Sequence, residues 1–264
     1  MKKPRLDQLV FDLGLAESRE RAKTTIMSGL VYVNGQKADK PGTAVAPDAR
    51  IEVRGEAIPF VSRGGFKLDK ALKVFPASPE GLVCIDCGAS TGGFTDVLLQ
   101  HGARKVYAVD VGYGQLAWKL RTDERVVCLD RTNVRYISRE QIPEELEFVV
   151  MDLAFISIKL VLPAVKALLR PGSDLICLIK PQFEVGRAEV GKKGVVREPA
   201  AHKEAIEGIL SFAPGAGLTV MGLDYSPIKG PEGNIEYICH MKNGVYEAEP
   251  PDVDAVVAAS HDAL

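Results

Sequence analysis

The chain has 264 residues, 46% of them hydrophobic and 26% charged, with a formal net charge of −2. That length suits one large domain, or a large domain beside a small one, and no apolar run nears the roughly 18 residues that span a bilayer. Five cysteines, an odd number, speak against a disulfide framework. Cys84 and Cys87 form a CxxC with no second Cys/His pair at zinc spacing, so no metal site is expected. Cys84, Cys177 and Cys239 sit in apolar runs and read as core. The start, Met1-Lys2-Lys3-Pro4-Arg5, is basic like a signal peptide, but no apolar stretch follows it, and the chain reads as cytoplasmic. Charge is unevenly spread. Residues 244–264 hold five acids and no Lys or Arg, leaving +3 on the remainder; residues 1–40 alone hold eight Lys/Arg against five Asp/Glu.

Residues 5–28 predict two short helices. Leu6, Leu9, Val10 and Leu13 form one apolar stripe, and Gly14 ends it. Ser18 can cap the second helix, which buries Ala22 and Ile26 or Met27 before Gly29 stops it. Leu30-Val31-Tyr32-Val33 is a strand, and Asn34-Gly35 signals a type I′ hairpin. Another short strand lies at Ile51–Val53, within a Pro/Gly-rich stretch, and the domain boundary is placed near Pro59. A helix bearing Phe66, Leu68, Leu72 and Phe75 follows. Strands are predicted at 82–86, 105–110, 126–129, 147–151, 174–180, 218–225 and 234–241, with helices at 93–100, 113–120, 159–169 and 199–212. The alternation implies an α/β fold whose mostly parallel sheet is covered on both faces. The last two strands have only a Pro/Gly-rich connection and should pair antiparallel at one edge. That ending resembles a Rossmann-like class I methyltransferase, not a plain dinucleotide-binding fold.

The sharpest motif runs from Asp86 to Thr95. It follows the strand Leu82-Val83-Cys84-Ile85 and opens a helix, the first βα turn of a doubly wound sheet, where nucleotides bind. Its glycines let a ligand approach the backbone. Asp110 ends the second strand, placed for ribose hydroxyls, and Asp130 ends the third, a candidate for an adenine region. Gly88, Ser90 and Gly93 loosely imitate GxGxxG, so a dinucleotide is the rival, and a plain glycine-rich turn is a third reading. Ser90 replaces the glycine that admits pyrophosphate, and the Asp86 carboxylate would repel it but suit the cationic end of S-adenosylmethionine. The expected cofactor is therefore S-adenosylmethionine, held by Asp86, Gly88, Ser90, Thr91, Gly92, Gly93, Phe94, Asp110, Val111 and Asp130.

Four charged residues stand where a fold usually avoids them. Asp152 and Lys180 end strands and face the same crevice. Glu236 interrupts an apolar strand, and Lys67 sits early in the helix before the first strand of the larger domain. Such a set suits the deprotonation of a hydroxyl, whose pKa lies far above neutrality. A buried lysine beside a second cation can act as the base, and carboxylates can orient it. The two lysines are expected to disfavour each other's protonation.

These segments together resemble the TlyA-type family, known both as hemolysins and as rRNA 2′-O-methyltransferases, over nearly the whole chain. Arg5-Leu6-Asp7, Ser18-Arg19, the Gly29–Gly35 run and Lys40-Pro41 are similar to the S4 pattern. Val61–Leu68, Asp86–Thr95, Asp110–Leu116, Asp152–Ser157 and Lys180–Glu184 are similar to the motifs of its FtsJ/RrmJ-like domain. The resemblance implies a Lys67, Asp152, Lys180, Glu236 catalytic tetrad, Lys180 the base, and a cytidine of ribosomal RNA as substrate. It implies an S4-like RNA-binding domain over 1–60, with Arg5, Arg19, Lys23, Asn34 and Arg63 as candidate RNA contacts. The methyltransferase domain would span 61–244, and 245–264 would form an acidic tail. The expected partner is ribosomal RNA or a ribosomal subunit, with no membrane and no stable protein partner.

The competing functions are a membrane-active hemolysin, a non-catalytic RNA-binding module and an S4-bearing pseudouridine synthase. The first lacks a spanning segment, a secretion signal or a cationic amphipathic helix. An intact tetrad opposes the second, and the glycine-rich turn, which such a synthase does not need, opposes the third.

Overall fold

The computed structural model describes residues 3–55, 58–191 and 193–264; Met1 and Lys2 of the basic start lie outside them. The chain divides into two compact units, one up to Gly65 and one from Phe66 onward. In the first, α1 (Leu6–Asp12) and α2 (Arg19–Met27) pack on a three-stranded sheet of β1 (Val31–Val33), β2 (Gln36–Ala38) and β3 (Ile51–Val53), ordered β2-β1-β3. Leu6, Val10, Ala22, Ile26, Val31 and Val45 are its buried core. Leu13, expected on the α1 stripe, falls just past the helix end and is 56% exposed, because the chain turns there through Gly14 at φ +69°. Ser18 caps α2 by accepting from Arg21 N at 3.1 Å. Asn34 and Gly35 both take positive φ, 51° and 79°, as a type I′ turn demands. Residues 58–61 pack with this first unit: Arg21 donates to Ile58 O (2.9 Å) and Phe60 O (3.1 Å), and Thr24 donates to Val61 O (3.0 Å).

The second unit contains α3 (Gly65–Val74), β4 (Val83–Cys87), α4 (Gly93–Gln100), β5 (Lys105–Val109), α5 (Trp118–Arg121), β6 (Val126–Leu129), β7 (Leu146–Met151), α6 (Leu162–Lys166), β8 (Leu169–Ile179), α7 (Pro181–Glu184), α8 (Pro199–Gly215), β9 (Leu218–Tyr225), β10 (Tyr237–Asn243) and α9 (Val253–Ala263). The seven strands are ordered β6-β5-β4-β7-β8-β10-β9. The strands from β6 to β8 run parallel, and β10 slots antiparallel between β8 and β9. The expected pairing of the last two strands holds, with β10 on the inside. Central strands such as β4 are buried at every position, as a sheet covered on both faces requires. The chain runs outward from β4 to β6 and then restarts at β7 beside β4. That reversal opens a crevice at the carboxyl ends of β4 and β7.

Four segments differ from expectation. The helix predicted at 113–120 shrinks to α5, because Asp110 and Asp130 accept from the amides of Gly112 (2.7 Å) and Gly114 (3.2 Å) and hold that stretch as a turn. The helix predicted at 159–169 ends at Lys166, and Leu169 already pairs with Leu146 in the sheet. Glu236 precedes β10 and is not inside it. Residues 245–264, read as an acidic tail, include α9. Asp252 caps it by accepting from Ala255 N (3.0 Å), and Asp254 pairs with Lys203 (2.7 Å). Val257 and Ser260 are buried, and Ser260 Oγ lies 3.0 Å from Tyr237 OH, which itself contacts His202 Nδ1 at 2.8 Å. The acids that suggested a tail serve as cap and ion pair, while the valines between them dock the helix. Ser18→Ala should destabilise the first unit by about 1 kcal/mol through loss of the α2 cap, read as a lower midpoint in urea unfolding of the full chain.

Candidate active site

The crevice at the switch point is walled by the segments following β4, β5 and β7 and by residues 132–134, and encloses about 360 Å³, within the range of small-ligand sites. Gly88 is the tightest point. Its φ is +88°, and a Cβ there would come within 2.6 Å of Asp152 O, so the β4 and β7 loops pass in backbone contact. Ser90, at φ +48°, donates its amide to Asp110 Oδ2 (2.8 Å), and its hydroxyl lies 3.3 Å from Gln115 Oε1. Backbone held in that sparsely populated region is a device of binding sites.

Four of the ten expected cofactor residues line this cleft: Gly88, Ser90, Asp110 and Val111. The others stand behind it. Gly92, at φ +95°, begins α4 without a side chain to cap it. Asp86, reaching from β4, does that work: its Oδ2 accepts from Thr95 N (2.9 Å) and Thr95 Oγ1 (2.7 Å). Gly93 and Phe94 are buried in the first turn of α4, and Thr91 O accepts from Ala117 N (3.1 Å). Asp130 does not reach the cleft, because Arg121 (2.7 Å) and the Gly114 amide occupy its Oδ2. Sequence reasoning missed Gln115, Thr132, Asn133 and the wall Leu153–Ile156 as cleft residues. Gln115 and Leu153–Ile156 fall within the Asp110–Leu116 and Asp152–Ser157 motifs, which gave a signal for them; nothing marked the polar pair Thr132-Asn133.

The cleft lining contains two carboxylates, Asp110 and Asp152, and no lysine, arginine or histidine. Pyrophosphate would meet two carboxylates and no cation among the described lining residues, whereas a cationic nucleoside would be attracted. Asp86 adds a buried acceptor, since its Oδ1 has no hydrogen-bond partner. Burial pushes its carboxyl up to about 7, against the pull of the Thr95 hydrogen bonds. These residues fit S-adenosylmethionine, whose amine and sulfonium are positive.

The four predicted catalytic residues converge beside the cleft. Lys67 Nζ lies 3.1 Å from Asp152 Oδ2 and 2.6 Å from Glu236 Oε2, the latter an ion-pair contact outside hydrogen-bonding angles. Lys180 Nζ pairs with Asp152 Oδ1 and stays 3.9 Å from Glu236 Oε1. Two cations and two anions cancel, and Glu236 is only 1% exposed. The mutual lowering expected of the lysines fails at Lys67. Burial works against its charge, but Asp152 and Glu236 in contact outweigh it and hold its pKa above the ordinary value. Asp152 is likewise opposed by burial yet held below the carboxylate range by Lys67 and Lys180.

Two neighbours complete the wall. Glu184 accepts from Ser157 Oγ (2.6 Å) and Ile158 N (2.9 Å), tying the segment after Lys180 to the segment after Asp152. Burial raises the Glu184 pKa. Phe155, at φ +65° and 91% exposed, stands at the mouth with Phe183 at 5.5 Å between ring centroids.

In the first unit, Arg5 (2.9 Å) and Arg19 (3.3 Å) meet on the buried Asp7. Burial opposes the Asp7 charge, but the two arginines hold its pKa below normal. Both guanidinium groups remain about half exposed, so the pair keeps a net charge of +1 while bracing α1 against α2. Lys23 is exposed one turn beyond Arg19 on α2. Asn34 belongs to the hairpin, where its Oδ1 accepts from Arg50 N (2.9 Å), and Arg63 is exposed in the segment before α3.

The FtsJ-like methyltransferase model matches residues 60–243, and the S4 domain model matches residues 4–51. A candidate rRNA methyltransferase of Bacillus subtilis is 52% identical over 91% of this chain and 86% of its own. A 16S/23S rRNA (cytidine-2′-O)-methyltransferase of Mycobacterium tuberculosis is 43% identical over 91% and 90%. The solved structure of a Streptococcus thermophilus protein named as a candidate hemolysin covers 100% of this chain and 97% of its own, at 44% identity and a TM-score of 0.78.

Asp86 provides a test that needs no ligand. Its folded-state pKa is raised, so the folded protein binds the proton more tightly, and stability should fall as pH rises from the ordinary carboxylate range to about 7. Asp86→Asn should flatten that decline in unfolding midpoints measured across pH, and an unchanged slope would remove Asp86 as its source.

Proposed function

We propose, for a chain that belongs to the FtsJ-like methyltransferase family and carries an S4 domain ahead of it, that the reaction is methylation of a ribose 2′-hydroxyl, on cytidine of ribosomal RNA. The observation that carries this reading is the Lys67–Asp152–Lys180–Glu236 array abutting a cleft lined by carboxylates and no cation. The substrate assignment rests on the activity named for the Mycobacterium tuberculosis relative. Among the described residues, no helix is long and apolar enough to cross a membrane.

S-adenosylmethionine supplies an electrophilic methyl group on a cationic sulfur. Asp110 and Ser90 would hold its ribose, and Asp86, whose Oδ1 has no partner among the described residues, would face its amine. Lys180 serves as the base in its neutral form: its ammonium first gives up a proton to solvent, and the free amine then takes the hydroxyl proton, which restores the cation and the neutral array. Lys67 is gripped by two carboxylates and kept charged, whereas Lys180 touches only Asp152 closely. Asp152 orients the Lys180 amine, and Lys67 with Glu236 fixes Asp152 from its other side. Holding the hydroxyl in line with its target contributes as much as the base. Phe155 offers an exposed ring on which a splayed-out base stacks. Residues 1–60 supply RNA affinity through Arg5, Arg19, Lys23 and Asn34, with Arg63 just beyond them; residues 61–244 carry the chemistry.

Lys180→Ala should lower methyl transfer to ribosomal subunits by about 10²–10⁴-fold with cofactor affinity retained, measured with radiolabelled donor and calorimetry. Lys180→Arg should not rescue, because a guanidinium cannot accept a proton. Near-normal turnover by the arginine variant would move the base elsewhere.

A further inference from the structure

The segment between α7 and α8 takes no part in the chemistry, yet it is fixed with care. It leaves α7, which directly follows Lys180, and further on Gly191 N donates to Val195 O (3.1 Å) and Gly194 N to Gly191 O (2.8 Å), closing a turn. Two buried polar side chains pin that turn. Asn234 accepts from Val196 N (2.9 Å) and donates to Gly194 O (2.9 Å). His202 contacts Val196 O through Nε2 (3.0 Å), which must carry the proton because a carbonyl only accepts.

Asn234 stands two residues before Glu236, and the Gly230 amide donates to its carbonyl (2.9 Å). Gly230 in turn leaves room for Glu236: a Cβ there would come within 2.7 Å of Glu236 Oε1. Ile179 and Tyr237 are register partners, so Lys180 and Glu236 stand together at one end of these two strands. The turn is thus pinned through Asn234 to the segment that carries Glu236, and along the chain it follows α7, which begins after Lys180. From it and its flanks project Arg187, Lys193 and Arg197, all exposed and none in an ion pair with a described residue. Many other arginines of this unit, among them Arg104, Arg121, Arg125 and Arg170, are paired with carboxylates.

We propose that this pinned basic turn is a phosphate-binding site for the RNA strand flanking the target ribose, contacted through Arg187, Lys193 and Arg197. Free cations beside a site that works on a sugar meet the phosphates esterified to that sugar and its neighbours. Their contacts position the strand without reading its sequence. Asn234 acts as a positioning residue for them. The proposal rests on the reading that the substrate is RNA.

The test compares wild type with R187A/K193A/R197A in the full chain, on the ribosomal subunits that wild type methylates. The variant should raise KM for RNA about tenfold near 0.1 M salt and reduce the slope of log affinity against log salt by about 2, the loss of three phosphate contacts on a single strand. Its kcat and donor affinity should match wild type. Arg187→Lys with Arg197→Lys, leaving Lys193, should keep most of the affinity, since a point charge suffices for phosphate. A triple variant with wild-type KM and salt slope would overturn the proposal. Failure of wild type itself to methylate RNA would overturn the functional reading, and this site with it.

Discussion

Four charges that cancel, held together at the end of a parallel sheet, are the constraint on which the second unit depends. Ions taken out of water cost several kcal/mol each unless they are paired in good geometry, and here each lysine has a carboxylate in contact. The four come from separate elements: α3, the end of β7, the end of β8 and the approach to β10. None can shift without exposing the others to an uncompensated charge. This gives a physical reason for β10 to lie inside the sheet beside β8. From an edge position Glu236 could not reach the two lysines that need it.

The same neutrality assigns roles within the array. Lys67 is a fixed cation because two carboxylates grip it, and Asp152 stays ionised because two lysines grip it. The acidic cleft next door balances a positively charged ligand without disturbing this internal account. Electrostatics thus sets an acidic cleft beside a neutral array of four charges, which in the proposed reading are the donor pocket and the reacting centre.

Much of this was legible in the sequence because strand ends and glycine-rich turns report their own geometry. Asp152 and Lys180 follow apolar runs that could only be buried strands, and Asn34-Gly35 could hardly form anything but its turn. The failures share a cause: partners distant in sequence. Asp130 looked like a ligand residue until Arg121 and the Gly114 amide claimed it. That Arg5 and Arg19 share the buried Asp7 was likewise out of reach. The shift at Lys67 has the opposite sign to expectation because the count of touching carboxylates, invisible in one dimension, outweighs a neighbouring lysine. The valines of α9 were masked by the acids among them, whose cap and ion pair required the fold to be known.

Glu184 has a mechanical meaning beyond its two hydrogen bonds. By holding Ser157 and the Ile158 amide, it joins the wall of the donor pocket to the short helix that begins at Lys180. The mouth of the cleft and Lys180, the proton acceptor of the proposed reaction, are therefore tethered to each other. Any widening of the cleft that leaves this tether intact carries the lysine along with it, so the alignment between donor and base survives breathing of the wall.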